Sequence, residues 1–368
     1  MIRILHMIGS LDIGGSQAMV INLYRKIDRS KIQFDFILDH PDQLYFAEGV
    51  TALGGKIFFM PTFKGKNILE VKKAWNQFFK EHPEYKILHS HVRSYASIYI
   101  PIAKKYGLKT IIHSHSTSNG KGFSAVVKAI MQYPLRFQAD YFMACSDKAG
   151  KWLFGNKIIQ SNKYMMIPNA INAAKFEFNQ AMRNQIRHDL GVDKKCVIGH
   201  VGRLTEPKNH DFLIDIFYEM KTIRNDMVLL LVGDGDLRSS IENKIEKLGI
   251  RDSAILVGNK SNTYDYYQAM DLFIFPSLWE GLGIVAIEAQ ASGLTCFISD
   301  KIPLEADLKV GLIRIVSLEK SASEWAKQIL NEKMVERKGR KDAVVNAGFD
   351  IESNSQFLQE FYTKLFEM

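Results

Sequence analysis

Short apolar stretches alternate with longer segments of helical periodicity along the whole sequence, and this alternation restricts the fold more than any other feature. In the first half the stretches include IRILHMI (2–8), YKILHSH (85–91) and KTIIHSH (109–115). Strands that are apolar on both faces, each followed by a helix, predict a parallel sheet covered by helices on both sides. The fold class is therefore expected to be α/β.

The alternation restarts after IPNAIN (167–172), where KCVIGHVG, MVLLLVG, SAILVG, LFIFPS and LTCFIS are read as strands. A length of 368 residues also suits two domains better than one. We expect two doubly wound, Rossmann-like domains, an N-terminal one over residues 1–172 and a C-terminal one over residues 173–350. Residues 351–368 form an amphipathic helix that could return to pack on the first domain.

Charge is unevenly distributed between the two halves. Residues 1–172 contain 23 Lys and Arg against 11 Asp and Glu, a net charge of +12, whereas the remaining residues have 25 basic and 29 acidic side chains, a net charge of −4. The first domain is thus expected to face a membrane surface, a phosphorylated acceptor or nucleic acid, or to carry a merely solvated basic face. The sequence contains no nucleic-acid-binding motif.

Cysteines and the N-terminus indicate the compartment. Cys145, Cys196 and Cys296 are far apart and lack CxxC spacing, so they predict neither a disulfide framework nor a zinc knuckle. The first apolar stretch is interrupted by Arg3 and His6 and is read as a strand, not as a signal peptide. We expect a cytoplasmic protein.

The segment GSLDIGGSQ (9–17) nearly matches a P-loop, which has a glycine, four residues, a second glycine, a lysine and a Ser or Thr. Gly9, Gly14 and Ser16 are in place, but Gly15 stands where the lysine belongs. The segment is either an ordinary strand-to-helix turn or a phosphate site whose positive charge comes from elsewhere.

Two cations follow the strand KCVIGHVG, at the turn into the next helix. Arg203 ends the strand and Lys208 follows five residues later in RLTEPKN. Cations beside a helix N-terminus suit a diphosphate, although ordinary solvated charges are the competing interpretation.

A carboxylate pair follows the strand LFIFPS in LWEGLGIVAIEAQASG. Glu280 lies in a glycine-rich turn and Glu288 lies about two helical turns beyond it. A carboxylate inside such an apolar helix needs a partner, either a ribose diol or a core cation. Glu280 would accept hydrogen bonds from sugar hydroxyls.

Taken together, GRLTEPKN, LVGDGDLR and PSLWEGLGIVAIEAQASG resemble the signature of the retaining glycosyltransferases of family 4, in particular those of bacterial capsular and exopolysaccharide synthesis. IPNAIN has Ala170 where the family usually has glycine. The resemblance implies the GT-B fold, in which two Rossmann-like domains face an interdomain cleft. It also implies a nucleotide-sugar donor. The cysteines and the basic first domain together predict a cytoplasmic enzyme that works at the inner face of the plasma membrane.

The resemblance also assigns roles to residues of this sequence. Arg203 and Lys208 would neutralise the donor diphosphate, Glu288 would hold the ribose, and Glu280 would contact the transferred sugar. The remaining donor-binding positions are Gly14, Gly15, Gly258, Asn259, Gly281, Leu282, Gly283, Ile284 and Val285.

Histidines end two strands of the first domain. The family places a histidine near the transferred sugar; strand phase favours His113, while His115 lies on the same face and competes for the role. His89, His91 and Arg93 are expected at a rim that faces an anionic acceptor.

No metal or other cofactor is expected. His89, His91, His113 and His115 together suggest a metal site, but alternate strand residues are expected to share a face without converging on a point. Asp234 to Asp236 resemble an Asp-x-Asp metal motif and are read instead as a turn, since Arg203 and Lys208 already supply positive charge.

The segment KGFSAVVKAIMQYPLRFQ (121–138) combines apolar residues with Lys121, Lys128 and Arg136. Two structures fit this pattern: an interfacial membrane helix and a core helix with cationic ends. The charge of the first domain favours contact with an anionic membrane, because lipid-linked acceptors carry phosphate.

The expected reaction moves a sugar from a nucleotide diphosphate to a lipid-linked saccharide. The resemblance implies UDP in preference to GDP, and it implies that the anomeric configuration is retained. The alternatives are a sugar-nucleotide epimerase or phosphorylase on the same fold, and a non-catalytic basic module that binds membrane or nucleic acid.

Overall fold

The structure is a computed structural model that describes residues 1–12, 15–116, 118, 122–333 and 335–368, without the side chain of Phe123. It divides into two compact units. Unit 1 comprises Met1–Ala170 together with Ile351–Met368, and unit 2 comprises Ile171–Asp350. The division lies two residues before the boundary that the sequence pattern suggested.

Unit 1 contains a seven-stranded sheet in the order β3-β2-β1-β4-β5-β6-β7, with parallel neighbours. Its strands are β1 (Ile2–Gly9), β2 (Ile32–Leu38), β3 (Ile57–Phe59), β4 (Ile87–Ser90), β5 (Lys109–Ser114), β6 (Tyr141–Ala144) and β7 (Tyr164–Met166). Every residue of β2 and β4 is buried, as strands between two helical layers require.

Helices cover this sheet on both faces and follow the strands in alternation. They are α1 (Gly15–Lys26), α2 (Ala47–Ala52), α3 (Ile68–Glu81), α4 (Ala96–Lys105), α5 (Phe123–Gln132), α6 (Leu135–Gln138), α7 (Asp147–Phe154) and α8 (Asn156–Ile159). Trp75 of α3 is fully buried and stacks on Tyr99 of α4 with ring centroids 4.4 Å apart. Aromatic packing of this kind stabilises the layer beyond its buried area alone.

Unit 2 contains a six-stranded parallel sheet in the order β10-β9-β8-β11-β12-β13. Its strands are β8 (Cys196–Val201), β9 (Met227–Val232), β10 (Ala254–Leu256), β11 (Leu272–Phe275), β12 (Thr295–Ser299) and β13 (Ile313–Val316). The expected α/β class with two doubly wound, Rossmann-like sheets is confirmed.

The helices of unit 2 are α9 (Ala173–Phe176), α10 (Gln180–Asp189), α11 (His210–Ile223), α12 (Arg238–Lys247), α13 (Thr263–Ala269), α14 (Ile284–Ala291), α15 (Ala322–Leu330) and α16 (Lys341–Asn346). Ser321 and Glu324 form a reciprocal capping box at the start of α15, which satisfies two of the backbone N–H groups that every helix start leaves unpaired. Trp325 in the same helix is fully buried.

The last helix, α17 (Ile351–Glu367), belongs to unit 1 although it follows unit 2 in the chain. Its apolar face, including Leu358 and Leu365, joins the core cluster that contains β1 and α1 residues. Lys26 of α1 forms an ion pair with Glu352. Helix α17 therefore completes the layer of helices that packs on the sheet of unit 1.

Each sheet has one point at which the strand order reverses direction, between β1 and β4 in unit 1 and between β8 and β11 in unit 2. The loops that leave the carboxyl ends of these strands diverge there and open a crevice, where ligands of doubly wound folds bind. Functional side chains are therefore to be sought after β1, β4, β8 and β11.

Candidate active site

The loop after β8 is fastened to the loop after β11 by two hydrogen bonds. The Leu278 backbone N–H donates to the Pro207 carbonyl at 2.8 Å, and the Asn209 side-chain amide donates to the Pro276 carbonyl at 3.1 Å. Asn209 has a left-handed backbone (φ 55°), a conformation that asparagine adopts more readily than most residues. These bonds bring Lys208 beside the turn that contains Glu280.

Lys208 and Glu280 form an ion pair, with Nζ and Oε1 2.5 Å apart. Their side chains are only 19% and 13% exposed, so water screens the pair weakly. The Lys208 ammonium also lies 5.3 Å from the centroid of the Phe275 ring. The family resemblance assigned Lys208 to the donor diphosphate and Glu280 to the transferred sugar. In the structure the two side chains instead form an ion pair with each other.

Arg203 is exposed, and its side chain, unlike that of Lys208, makes no hydrogen bond or ion pair within the part of the chain that the structure describes. Its guanidinium offers five donors in a planar fork that suits a phosphate. The site thus has one cation held by a carboxylate and one that is available to an incoming anion.

Glu288 lies on the second turn of α14 and accepts a hydrogen bond from the Tyr267 hydroxyl at 2.8 Å. Burial raises the pKa of Glu288 to about 7, although the Tyr267 hydrogen bond and the Lys208 charge act in the opposite direction. The sequence predicted a ribose diol or a core cation as the partner of this carboxylate, whereas its hydrogen-bond partner in the described chain is a tyrosine hydroxyl. Sequence reasoning missed Tyr267, because a tyrosine in a helix carries no motif.

The raised pKa of Glu288 predicts a pH-dependent stability. The unfolded chain releases this proton near pH 4.5 and the folded chain near pH 7, so unfolding releases a proton between these values. The contribution is fully present below pH 4.5 and is lost as the pH rises to about 7. Relative to Glu288→Gln, the wild-type free energy of unfolding should fall by about 3 kcal/mol over this window.

Urea unfolding at several pH values measures this difference, with Glu246→Gln, an exposed glutamate on α12, as the matched control. The Glu246→Gln protein should follow the wild type at every pH. A constant difference between wild type and Glu288→Gln from pH 4.5 to 8 would contradict the assignment.

The turn before α14 presents backbone to the crevice. Gly283 has φ 83°, which strains any residue with a side chain, and a Cβ there would be tightly placed, 3.1 Å from Ile302 Cγ2 and 3.3 Å from Phe275 Cε1. No side chain caps the start of α14, so the N–H groups of its first turn, including Ile284 and Val285, lack that partner. Gly281 is exposed and Leu282 is half-buried against the core.

Gly258 and Asn259 follow β10 and lie at the same edge of the sheet. The Gly258 carbonyl accepts a hydrogen bond from the Gly233 N–H at 2.9 Å, and Asn259 is exposed. A Cβ at Gly233 would lie 2.0 Å from the Gly202 carbonyl oxygen. The ends of β8, β9 and β10 therefore approach closely only because glycine occupies this position.

Asp234 to Asp236 lie in the turn between β9 and α12, as their sequence context predicted. Asp234 forms an ion pair with Arg238 (3.1 Å) and accepts a hydrogen bond from the Gly235 N–H at 2.8 Å. These contacts occupy the carboxylate within its own turn.

Two buried histidines beside Lys208 were not singled out from the sequence. His200 donates from Nδ1 to the Ile274 carbonyl at 2.8 Å, which leaves Nε2 as a lone-pair acceptor without a partner in the described chain. Neither ring nitrogen of His210 has a partner there either. Burial first and the Lys208 charge second lower the pKa of His210 to about 4, so the ring is neutral.

In unit 1, Gly14 lies outside the described residues. Gly15 is the first residue of α1 and is exposed; a Cβ there would meet only the Asn169 amide nitrogen, at 3.9 Å. Contact between this glycine and a donor stays a prediction.

His89, His91 and His113 are buried and His115 is half-buried at the ends of β4 and β5. The expectation that these rings would not converge is wrong. One ring nitrogen from each of His91, His113 and His115 lies within 4.8 Å of the others, and His6, which sequence reasoning did not include, forms a second such group with His89 and His91. His113 is 1% exposed, so the half-buried His115 is the more accessible of the two donor-facing candidates.

Arg93 follows the same strand end but does not extend freely into solvent. Its guanidinium lies 5.0 Å from the Trp152 ring centroid and donates from Nη2 to the Ser118 carbonyl at 2.8 Å. Contact with an anionic acceptor stays a prediction for this residue.

Comparison with known proteins identifies the family. The sequence profile described as Glycosyl transferases group 1 matches residues 182–342, and that described as Glycosyltransferase Family 4 matches residues 13–175. EpsF of Bacillus subtilis (strain 168), named as a glycosyltransferase, is 31% identical over 98% of this chain and 96% of its own length. The chain belongs to glycosyltransferase family 4.

Two further relatives extend the comparison. An Escherichia coli protein named UDP-Gal:alpha-D-GlcNAc-diphosphoundecaprenol alpha-1,3-galactosyltransferase is 24% identical over 67% of this chain and 66% of its own length. The crystal structure of Anabaena HepE in complex with UDP has a TM-score of 0.76 and 16% identity, and covers 99% of this chain and 100% of that one. The fold of this glycosyltransferase is therefore GT-B.

Proposed function

We propose that this glycosyltransferase moves a sugar, with retention of anomeric configuration, from a UDP-sugar to a lipid-linked saccharide in bacterial surface polysaccharide synthesis. One observation carries the proposal: Arg203, Lys208, Glu280 and Glu288 gather at the carboxyl ends of β8 and β11, where the strand order of unit 2 reverses. The name of the Escherichia coli relative, with its UDP-sugar and its diphosphoundecaprenol acceptor, supports the choice of substrates.

In this proposal, Arg203 and Lys208 bind the donor diphosphate. The Arg203 side chain has no hydrogen-bond or ion-pair partner among the described residues, and its charge compensates one phosphate directly. Lys208 is held in place by Glu280, so it is positioned before the donor arrives and loses little side-chain entropy on binding. Positive charge fixed in a poorly screened site stabilises the diphosphate as it leaves, and no metal ion is needed for that purpose.

The ribose binds at Glu288. A ribose diol can donate two hydrogen bonds to a carboxylate. These hydrogen bonds are stronger when the carboxylate is ionised. Glu288 has a pKa of about 7 in the free protein, so binding at neutral pH favours its ionised form and releases a proton from part of the population. Tyr267 orients the carboxylate through its 2.8 Å hydrogen bond.

The chemical step breaks the bond between the anomeric carbon and the diphosphate oxygen and forms a bond from that carbon to the acceptor oxygen on the same face. The acceptor proton moves to the departing phosphate oxygen. The backbone N–H groups at the start of α14 and the two cations stabilise the charge that develops on the leaving group. No side chain of the described site serves as a nucleophile in this scheme.

A thermal-shift panel of nucleotide sugars tests the donor assignment. We expect a UDP-sugar to raise the melting temperature of the wild type, and to raise that of Arg203→Ala much less at the same concentration. A panel in which no member stabilises the wild type would overturn the donor assignment.

The acceptor and the stereochemistry need a second experiment. Incubation with the bound UDP-sugar and a polyprenyl-diphosphate saccharide should give a product whose new linkage has the donor's anomeric configuration by NMR. Conversion of the donor alone into an epimer, without an acceptor, would favour an epimerase instead.

We propose further that unit 1 contacts an anionic membrane through an exposed patch on α5, the turn after it and α6. The apolar side chains of this patch are 38–75% exposed, whereas Leu135 of the same segment packs in the core. The patch consists of Val126, Val127, Ile130, Tyr133 and Phe137. Lys128 and Arg136 lie among these residues, whereas Lys121 lies outside the described residues. No helix within the described residues is long and apolar enough to span a membrane.

Vesicle co-sedimentation tests this contact. The wild type should bind vesicles containing anionic phosphatidylglycerol more tightly than purely zwitterionic ones, and the double variant Val126→Glu/Ile130→Glu should lose about 100-fold in affinity, since each buried apolar side chain contributes roughly 1.5–3 kcal/mol. Ile223→Glu, which changes a residue of unit 2 that is 62% exposed, is the matched control. Equal binding by wild type and double variant would contradict the proposed surface.

A further inference from the structure

Five histidines form one contiguous cluster inside unit 1, on three adjacent strands. His6 lies on β1, His89 and His91 lie on β4 and directly after it, and His113 and His115 lie on β5 and directly after it. Four of them are buried to 92% or more, and His115 is half-buried. The residues surrounding them include Phe34 and Tyr362, so the cluster sits in a largely apolar layer.

The rings contact one another through their nitrogens. His91 Nδ1 lies 2.8 Å from His115 Nε2, His91 Nε2 lies 3.0 Å from His6 Nδ1, and His89 Nε2 lies 3.2 Å from His113 Nδ1. His89 Nδ1 lies 2.6 Å from the Tyr362 hydroxyl oxygen. The contacts form two series of rings, one of His6, His91 and His115 and one of Tyr362, His89 and His113. The first series ends on His6 Nε2 and the second on His113 Nε2, and both are buried nitrogens without a partner among the described residues.

This arrangement is unusual for a purely structural core. A buried imidazole normally directs both nitrogens to protein groups or water, because an unpaired buried polar atom costs about 1–3 kcal/mol. Here most ring nitrogens face another ring of the cluster, while His89 Nδ1 faces the Tyr362 hydroxyl and His113 also interacts with the Ile167 backbone. Among the described residues, none of these contacts is with a carboxylate.

We propose that His91, His113 and His115 bind one divalent transition-metal ion of the zinc class. One ring nitrogen from each lies within 4.8 Å of the other two. Two nitrogens at about 2.0–2.1 Å from a tetrahedral ion are about 3.3 Å apart, so small ring rotations would bring the three into place. Three neutral imidazoles without a carboxylate favour zinc, copper or nickel over magnesium, calcium or manganese.

The surrounding rings supply the supporting contacts that such a site needs. A histidine that binds a metal through one nitrogen donates its other N–H to a neighbour, which fixes the ring. His91 can bind through Nδ1 and donate from Nε2 to His6 Nδ1 across the observed 3.0 Å. His113 can likewise donate from Nδ1 to His89 Nε2, 3.2 Å away. His89 is itself held by its contact with the Tyr362 hydroxyl.

The second converging group, His6, His89 and His91, suits a metal less well. All three of its rings are at least 92% buried, and His89 Nδ1 is engaged with Tyr362. At the His91 group, in contrast, half-buried His115 provides a path for the ion and room for a fourth ligand such as water. The inferred site therefore resembles open, three-histidine sites more than closed ones.

This inference goes beyond the proposed glycosyl transfer, which uses no ion at the diphosphate, and it is tested separately. Tag-free protein is stripped with a chelator and dialysed against Zn²⁺, and bound metal is measured by elemental analysis. We expect one equivalent of zinc, and a Co²⁺-loaded sample should show the visible absorption of a tetrahedral site. Zinc at 100-fold excess over its Kd should raise the melting temperature of unit 1 by roughly 5–10 °C.

His115→Gln is the decisive variant, because its half-buried side chain can be replaced with little risk to folding. We expect zinc affinity to fall by at least about 100-fold, since even supporting residues contribute about 10–100-fold. His40→Gln, which changes a histidine of unit 1 whose side chain is 53% exposed, is the matched control. Arg203→Ala should bind zinc like the wild type, which separates this result from failure of the donor site.

A substoichiometric zinc content in the wild type, or an unchanged affinity in His115→Gln, would overturn the proposal. Circular dichroism of each variant shows whether the fold is retained.

Discussion

Replacing Lys208 by alanine is expected to lower kcat for sugar transfer by about 10²–10³. The ammonium is held 2.5 Å from Glu280 in a poorly screened position, so it needs no reorganisation when charge develops on the leaving diphosphate. Its loss removes that stabilisation and also leaves the Glu280 carboxylate without its cation, facing the same anion. We therefore expect the effect on kcat to exceed the effect on KM.

Steady-state kinetics with the UDP-sugar found in the thermal-shift panel measures this effect. Lys221→Ala is the matched control, because Lys221 lies near the end of α11, the helix that follows the Lys208 loop. This variant should leave kcat within about twofold of the wild type. A double variant, Lys208→Ala/Glu280→Gln, should recover part of the lost rate if repulsion by Glu280 contributes. A Lys208→Ala enzyme with unchanged kcat would remove this residue from the mechanism.

Glu288→Ala is expected to weaken binding of the donor nucleotide by about 100-fold. Two hydrogen bonds from a ribose diol to a carboxylate contribute about 1.5 kcal/mol or more each, and alanine removes both. Glu288→Gln keeps one acceptor oxygen without the charge and should lose about tenfold. The fold should tolerate alanine, since the Tyr267 hydroxyl has a second acceptor in the Val285 carbonyl at 3.3 Å.

Calorimetric titration with UDP measures this loss of affinity. A comparison of UDP with 2′,3′-dideoxy-UDP, which lacks the ribose diol, shows whether the loss arises at the ribose. The dideoxy nucleotide should bind the wild type and Glu288→Ala with similar, weak affinity, because the diol is absent in both cases. Glu246→Ala is the matched control. Discrimination between the two nucleotides that persists in Glu288→Ala would place the ribose elsewhere.

Much of the site in unit 2 could be predicted from the sequence, because its residues follow buried strands at short, fixed distances. A strand end fixes where Arg203 and Lys208 lie, and helical periodicity places Glu288 two turns after Glu280. The ion pair between Lys208 and Glu280 could not be predicted, because 72 residues separate them and only the adjacency of β8 and β11 brings them together. Tyr267 could not be predicted either, since its role depends on the packing of α13 against α14.

The histidines of unit 1 show why a correct strand assignment still gave a wrong expectation. In the sheet, His6 is directly opposite His89, yet its Nδ1 contacts His91, two residues further along. His89 likewise contacts His113 although Ile111 is its register partner. Side chains in strands lean along the strand direction, so rings on neighbouring strands meet diagonally and converge. The alternation of residues along a strand shows which face of the sheet a side chain lies on, but it does not show how far that side chain leans along the strand.

The sequence by itself determined the two α/β units, the strands that build them and the family, since apolar periodicity and short motifs are local properties of the chain. The tertiary structure decided which strands are neighbours and therefore which side chains share an environment. That decision paired Lys208 with Glu280, gave Glu288 a tyrosine partner and a pKa of about 7, and gathered five histidines into one buried cluster. Burial and distance act between residues that are remote in the chain, and only the packed fold fixes them.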